Sequence, residues 1–136
     1  MSMNSNYSRA TNAYRSAATA VSPLGQIVML YDGAIMGLRR TIAAVERKCP
    51  EDAFNNLQHA TTILRGLCHN LDFERGGKFA ERMRDTYISL IMAALNSLGK
   101  PDAVARFNKL IAAISTLREA WAELRVRQSE ADRIKP

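Results

Sequence analysis

The stretch that decides the fold is SPLGQIVMLYDGA, at residues 22–34. Ser22 suits a helix N-cap, because its hydroxyl can accept a hydrogen bond from a free backbone N–H. Pro23 suits the first helical turn, where no backbone donor is needed. From there to Val45, apolar residues recur at intervals of three and four, the spacing that gives a helix one buried face. The sequence therefore predicts a long amphipathic helix that ends before Pro50.

Three further stretches repeat this pattern. They predict a second helix from about Glu51 to Leu71, a third from about Lys78 to Leu98, and a fourth from about Asp102 to the mid-120s. Gly76-Gly77 is expected to end the connection before the third helix. Short connections make consecutive helices antiparallel, so the prediction is an all-α fold, an antiparallel up-down four-helix bundle with one core.

The two ends of the chain lack the pattern. Residues 1–21 are rich in small polar side chains and are expected to form a flexible, mobile N-terminal arm. Residues 22–125 are expected to form the bundle, and residues 126–136 a frayed C-terminal tail. A chain of 136 residues has the length of one domain with one core.

The apolar residues exceed what one buried stripe on each helix needs. We expect the stripe to include Phe54, Phe79, Leu95 and Trp121. The surplus should leave clefts that suit an amphipathic or extended segment of a partner protein, to which flexible methionines adapt well. The surplus residues are Val28, Met29, Ile63, Ile88, Met92 and Ile111.

Composition limits the classes of function. Hydrophobic residues make up 47% and charged residues 24%, as in an ordinary soluble protein. The net charge of +6 permits an acidic partner, but Lys and Arg are mixed with Asp and Glu instead of forming one basic block. No apolar segment is long enough to be a signal peptide or a membrane span. We therefore expect a cytoplasmic protein without direct membrane insertion, in which Cys49 and Cys68 are free thiols.

No motif predicts catalysis, a cofactor or a metal. Bundle metal sites use Glu three residues before His, whereas Asn56 precedes His59 and Gly66 precedes His69 at that spacing. No nucleophile is linked by motif to a histidine, and no Gly-rich phosphate loop follows a strand. We expect neither an enzyme nor a bound metal or cofactor.

A few helix residues allow a structural or a functional interpretation. Gly33 and Gly37, four residues apart, would permit close packing of a neighbouring helix or a shallow groove for a partner. Asp32 lies off the apolar stripe, where a solvated or hydrogen-bonded aspartate is the common case. Asp72 and Glu74 are expected to shape the turn before the third helix.

Three motifs, in this order, resemble the flagellin export chaperone (FliS) family. They are SP followed by MLYDGA at residues 29–34, LDFERGG at residues 71–77, and Trp121 in the last helix. The resemblance covers about residues 14 to 124. It implies a cytosolic four-helix-bundle chaperone that binds the disordered C-terminal region of flagellin, prevents premature polymerisation and presents the subunit to the flagellar type III export gate. It implies no nucleotide and no metal.

The resemblance also implies partner-binding residues. Tyr14 resembles the tyrosine of the family's N-terminal arm, which covers part of the apolar surface in the free protein. The residues that match the helix 1 motif are Ile27, Met29, Leu30, Tyr31, Asp32, Gly33 and Ala34. The alternatives are a helical-bundle adaptor for an unrelated protein and, more remotely, a basic nucleic-acid-binding module.

Overall fold

The computed structural model describes residues 23–134, in which four helices are joined by short connections at residues 47–49, 70–72 and 98–102. The helices are α1 (Pro23–Glu46), α2 (Pro50–His69), α3 (Phe73–Ser97) and α4 (Ala103–Ile134). Each helix packs against the next, and α4 returns to pack against α1, so the four helices enclose one core. The predicted four-helix bundle is confirmed. Within residues 23–134, no helix contains an apolar stretch long enough to cross a membrane.

The core is built from the predicted apolar stripes, with a few exchanges. Phe54 and Leu95 were expected in the core, but 51% and 38% of their surfaces are exposed. Val28, expected outside the stripe, is buried. On α2 the small residue Ala53 takes the core-facing position, and Phe54, one residue further on, is turned about 100° away from it. The largest fully buried side chains are Tyr31, Leu38, Leu64, Tyr87, Phe107 and Ile114.

Helices α1 and α2 approach each other closely at two glycines. A Cβ atom on Gly37 would lie 2.9 Å from Cβ of Ala60, and one on Gly33 would lie 3.1 Å from Cδ1 of Ile63. Only a residue without a side chain fits at the first position without a shift of the neighbouring helix. The packing interpretation of the two glycines is therefore confirmed.

A short helical turn precedes the predicted start of the third helix at about Lys78, and the helix resumes there after a break at Gly77. The carboxylate of Asp72 accepts the N–H of Arg75 at 3.1 Å and caps a helical turn that begins at Phe73. Gly77, with φ 50° and ψ −126°, then kinks α3. This conformation suits glycine alone, because a Cβ would clash with the backbone. The double glycine thus lies inside α3, whereas the turn-shaping role expected of Asp72 is confirmed.

The fourth helix continues past its predicted end in the mid-120s and reaches Ile134. Its side chains are exposed from Glu123 onward, so this extension gains no core burial. Good helix formers and an ion pair between Glu123 and Arg127, four residues apart, favour the helical backbone instead. Ser22 and the expected N-terminal arm lie outside the described residues.

Candidate partner-binding surface

The seven predicted binding residues of α1 do not share one face of the helix. Tyr31 and Ala34 are fully buried in the core, whereas Met29 and Asp32 are exposed. The remaining three, Ile27, Leu30 and Gly33, are half-buried. Tyr14 lies outside the described residues. A partner at the surface of this bundle can reach the exposed members directly, and the binding role of the set stays a prediction.

Tyr31 joins three helices through its hydroxyl group. The hydroxyls of Tyr31 and Tyr87 are 2.6 Å apart, and Nε1 of Trp121 donates to the Tyr31 oxygen at 3.1 Å. Burial raises the pKa of the Tyr31 phenol, an effect that its two hydrogen bonds partly offset. Burial also raises the pKa of Tyr87, and the hydrogen bond to Tyr31 adds to this rise. Both phenols are therefore neutral near pH 7 and hold α1, α3 and α4 together.

Asp32, the residue after Tyr31, makes a second contact between α1 and α4. Its carboxylate accepts from Nε of Arg118 at 2.9 Å and from a terminal guanidinium nitrogen of the same arginine at 3.3 Å. The hydrogen bond to Asp32 is the main reason why the pKa of Arg118 is raised. The expectation of a hydrogen-bonded helix aspartate is confirmed.

Trp121 also contacts the exposed aromatic side chain of Phe79. Phe79, expected in the core, is about half exposed, and its ring meets the indole edge-on with centroids 6.3 Å apart. Such a contact shields one side of each ring at the rim of the bundle. Phe79 therefore adds to the α3–α4 contact without entering the core.

An exposed apolar ridge on α3 borders a groove between α2 and α3. Ile88 and Met92, both predicted as surplus, are 48% and 52% exposed, and Leu95 adds a third apolar side chain. The groove has a volume of about 400 Å³. We call it the α2/α3 groove; its lining consists of Arg65, Cys68, His69, Ile88, Ile91, Met92 and Leu95.

Sequence reasoning missed Leu95 as a surface residue. Its spacing from Ile88 and Met92, by seven and three residues, places the three on one side of α3. The core-facing residues Tyr87, Leu90 and Ala94 form a second row beside them. Two apolar rows on one helix are the sequence signal that could have separated this surface ridge from the core.

Other recesses are smaller or more polar. An apolar cavity of about 310 Å³ lies at one end of the bundle, between Val45, Cys49 and Leu98. Two depressions along the α3–α4 contact share Ala93 and Leu110. Within residues 23–134, no cluster of three His, Cys, Asp or Glu side chains is arranged to hold a metal ion.

Comparison with known proteins agrees with the bundle and with its sequence motifs. The family described as "Flagellar protein FliS" matches residues 4–128. The flagellar secretion chaperone FliS of Campylobacter jejuni is 30% identical over 116 residues, which cover 85% of this chain and 90% of that protein. The flagellar secretion chaperone FliS of Salmonella typhimurium is 31% identical over 110 residues, 80% of this chain and 81% of that protein. The chain therefore belongs to the FliS family of flagellar proteins.

Proposed function

We propose that this protein is a cytosolic flagellar secretion chaperone that binds the disordered C-terminal region of flagellin. Its relatives in Campylobacter and Salmonella are flagellar secretion chaperones. The observation that carries the proposal is the α2/α3 groove, where Ile88, Met92 and Leu95 leave an apolar ridge uncovered on a bundle whose core is already complete. Exposed apolar surface of this kind is typical of a site for another protein.

The proposed mechanism is coupled folding and binding. A disordered flagellin segment loses conformational entropy when it orders on the bundle, so burial of apolar area must offset that loss. A preformed apolar groove on a rigid bundle supplies such area without a rearrangement of the chaperone. While the segment is bound it is unavailable to other flagellin subunits, which prevents premature polymerisation.

The same proposal assigns roles to the predicted α1 residues. Met29 and Asp32, which are exposed, would contact the segment or a second partner such as the flagellar export gate. Tyr31 and Ala34 would act indirectly by holding the shape of the bundle. The proposed function is binding alone, with no catalytic step and no cofactor.

Calorimetric titration of the full-length protein with the C-terminal region of flagellin from the same organism tests the proposal. We expect tight one-to-one binding with a negative heat-capacity change, the mark of apolar burial. No heat, together with no shift on a sizing column, would contradict the proposal and leave an adaptor for an unrelated protein. Binding of nucleic acid that weakens steeply with salt, without binding of flagellin, would favour the basic nucleic-acid-binding alternative.

A further inference from the structure

An apolar cavity, which we call the end cavity, lies at the end of the bundle that carries the α1–α2 and α3–α4 connections. Its walls are the side chains of Val45, Pro50, Ala53 and Leu98, and the half-buried Cys49 adds its thiol. The cavity has a volume of about 310 Å³. An apolar protein cavity of about 150 Å³ holds a benzene molecule, so the end cavity has room for an alkyl chain of about eight carbons.

A single positive charge borders the end cavity. Lys48, an exposed residue, is the charged member of its lining within residues 23–134, and no ion pair of this part of the chain includes it. The acidic residues in the first turn of α2, Glu51 and Asp52, do not line the cavity, and Asp52 is paired with Arg47 at 3.5 Å. The Lys48 ammonium is therefore available to a negatively charged group at the mouth of the cavity.

The backbone of Lys48 is an independent reason to look for a role of its side chain. Its φ of 58° lies in the left-handed region, where the residue after a helix is usually glycine. The α3–α4 connection meets the same requirement with Gly99, whose φ is 85°. Lysine at this position costs folding free energy that glycine would not, and no ion pair within residues 23–134 offsets the cost. Residues held in costly backbone conformations cluster at ligand-binding sites.

The chemistry of the end cavity favours an alkyl chain over a peptide segment. A peptide would place its own N–H and C=O groups against apolar walls without partners, which is costly. The nearby carbonyl groups of Ala44 and Val45 already accept the N–H groups of Cys49 and Lys48, at 2.9 and 3.0 Å. An alkyl chain has no polar groups to satisfy, and a carboxylate at its end needs one cationic partner, which Lys48 supplies.

We propose that the end cavity binds an alkyl carboxylate of medium chain length. The chain packs between Val45 and Leu98, and the carboxylate pairs with the Lys48 ammonium at the mouth of the cavity. The ligand then contacts the α1–α2 and α3–α4 connections together, so its binding stabilises the folded bundle by mass action. The end cavity shares no lining residue with the α2/α3 groove, so this site is separate from the one proposed for flagellin.

Octanoate, added to the full-length protein below its micelle-forming concentration, is the probe that tests this proposal. Alkylation of Cys49 by iodoacetamide, followed by mass spectrometry, measures access to the end cavity, and Cys68 in the α2/α3 groove is the internal control. Calorimetric titration gives the affinity, and thermal unfolding gives the stability. Lys48→Gly removes the ammonium, and Lys48→Arg keeps the charge. Lys100→Gly, in the α3–α4 connection but outside the cavity lining, is the matched control for loss of charge.

At about ten times its Kd, octanoate should slow alkylation of Cys49 about tenfold, because only the free fraction reacts, and alkylation of Cys68 less than about twofold. Without ligand, Lys48→Gly should melt at a higher temperature than the wild type, because glycine suits this backbone conformation. The same variant should bind octanoate about tenfold more weakly, whereas Lys48→Arg and Lys100→Gly should stay within about threefold of the wild type.

Three outcomes would overturn the proposal. The first is that octanoate changes neither the alkylation of Cys49 nor the melting temperature of the wild type. The second is equal octanoate affinity in Lys48→Gly and the wild type, which would remove the pairing with the ammonium. The third uses acetyl-leucyl-leucine, a model of a protein C-terminus: protection of Cys49 by this peptide but not by octanoate would assign the end cavity to a protein partner.

Discussion

Nε1 of Trp121 donates a hydrogen bond of 3.1 Å to the hydroxyl oxygen of Tyr31, two residues that are 90 positions apart in the chain. Tyr31 is fully buried at the middle of α1, and Trp121 packs against the core from the last covered turns of α4. The Tyr87 hydroxyl meets the same oxygen at 2.6 Å. One hydroxyl group therefore fixes the position of α4 against both α1 and α3.

Removal of this hydroxyl should destabilise the bundle without opening a cavity. We expect Tyr31→Phe to lower the free energy of unfolding by about 1–3 kcal/mol, because buried polar partners lose their hydrogen bonds. Trp121→Phe should lower it by about 1–3 kcal/mol, since it removes the indole donor and part of the ring. The double variant should lose less than the sum of the two, because both changes remove the same bond. Urea denaturation measures all three values, and strictly additive losses would show that the bond contributes no stability.

The hydrophobic period predicted four helices and most of the core, since burial of one face imposes that period on the sequence. It could not separate Leu95 on the surface from Leu90 in the core. Both fit a broad apolar face, and only the positions of α2 and α4 decide which part of that face is covered. It likewise could not pair Tyr31 with Trp121, because the period of one helix carries no information about its register against another.

Local sequence signals were also ambiguous at the ends of helices. Gly76-Gly77 signals a break, but the capping carboxylate of Asp72 starts a helical turn before it, so the break becomes a kink within α3. For the binding surface, the surplus of apolar residues predicted that clefts exist. The sequence could not tell which surplus residues stay exposed, as Ile88 and Met92 do, because this depends on how the neighbouring helices pack.

Gly37→Ala should destabilise the protein although alanine is the better helix former. The new Cβ would lie 2.9 Å from Cβ of Ala60 and 3.2 Å from its Cα, so α1 and α2 must move apart. We expect a loss of about 1–3 kcal/mol, typical of overpacking. Gly66→Ala is the matched control, because its Cβ would meet no atom within 4 Å. The control should gain about 0.5–1 kcal/mol from helix propensity.

Thermal unfolding of the two glycine variants, followed by circular dichroism, checks this prediction. Ala60→Gly combined with Gly37→Ala should recover part of the loss, because the contact is then relieved from the α2 side. Equal stabilisation by Gly37→Ala and Gly66→Ala would contradict the close approach of the two helices.

The buried phenols predict a loss of stability at alkaline pH. The pKa values of Tyr31 and Tyr87 are raised in the folded protein, mainly by burial, whereas an unfolded tyrosine ionises near pH 10. Above about pH 10 the unfolded state therefore binds fewer protons than the folded state, and stability falls as pH rises. Below pH 10 this contribution is fully present.

Tyr87→Phe removes one of the two phenols and should make the alkaline loss shallower. We expect the slope of unfolding free energy against pH to decrease by up to about 1.4 kcal/mol per pH unit above pH 10. Urea denaturation at pH 7, 9 and 11 compares the variant with the wild type. Lysines and arginines contribute equally to the pH dependence of both proteins, so the difference between them reports Tyr87. Parallel profiles for the two proteins would show that Tyr87 ionises freely in the folded state.

Variants of the ion pair between Asp32 and Arg118 can distinguish a structural role of Asp32 from a role in binding. The pair is partly exposed, so Asp32→Asn and Arg118→Gln should each leave the unfolding free energy nearly unchanged. If Asp32 contacts flagellin as predicted, Asp32→Asn weakens flagellin binding, whereas Arg118→Gln leaves the carboxylate free and preserves it. Calorimetric titration of both variants with the flagellin segment measures the difference. Equal losses in the two would assign the effect to the ion pair that positions α4, and unchanged affinity in both would contradict the predicted contact of Asp32.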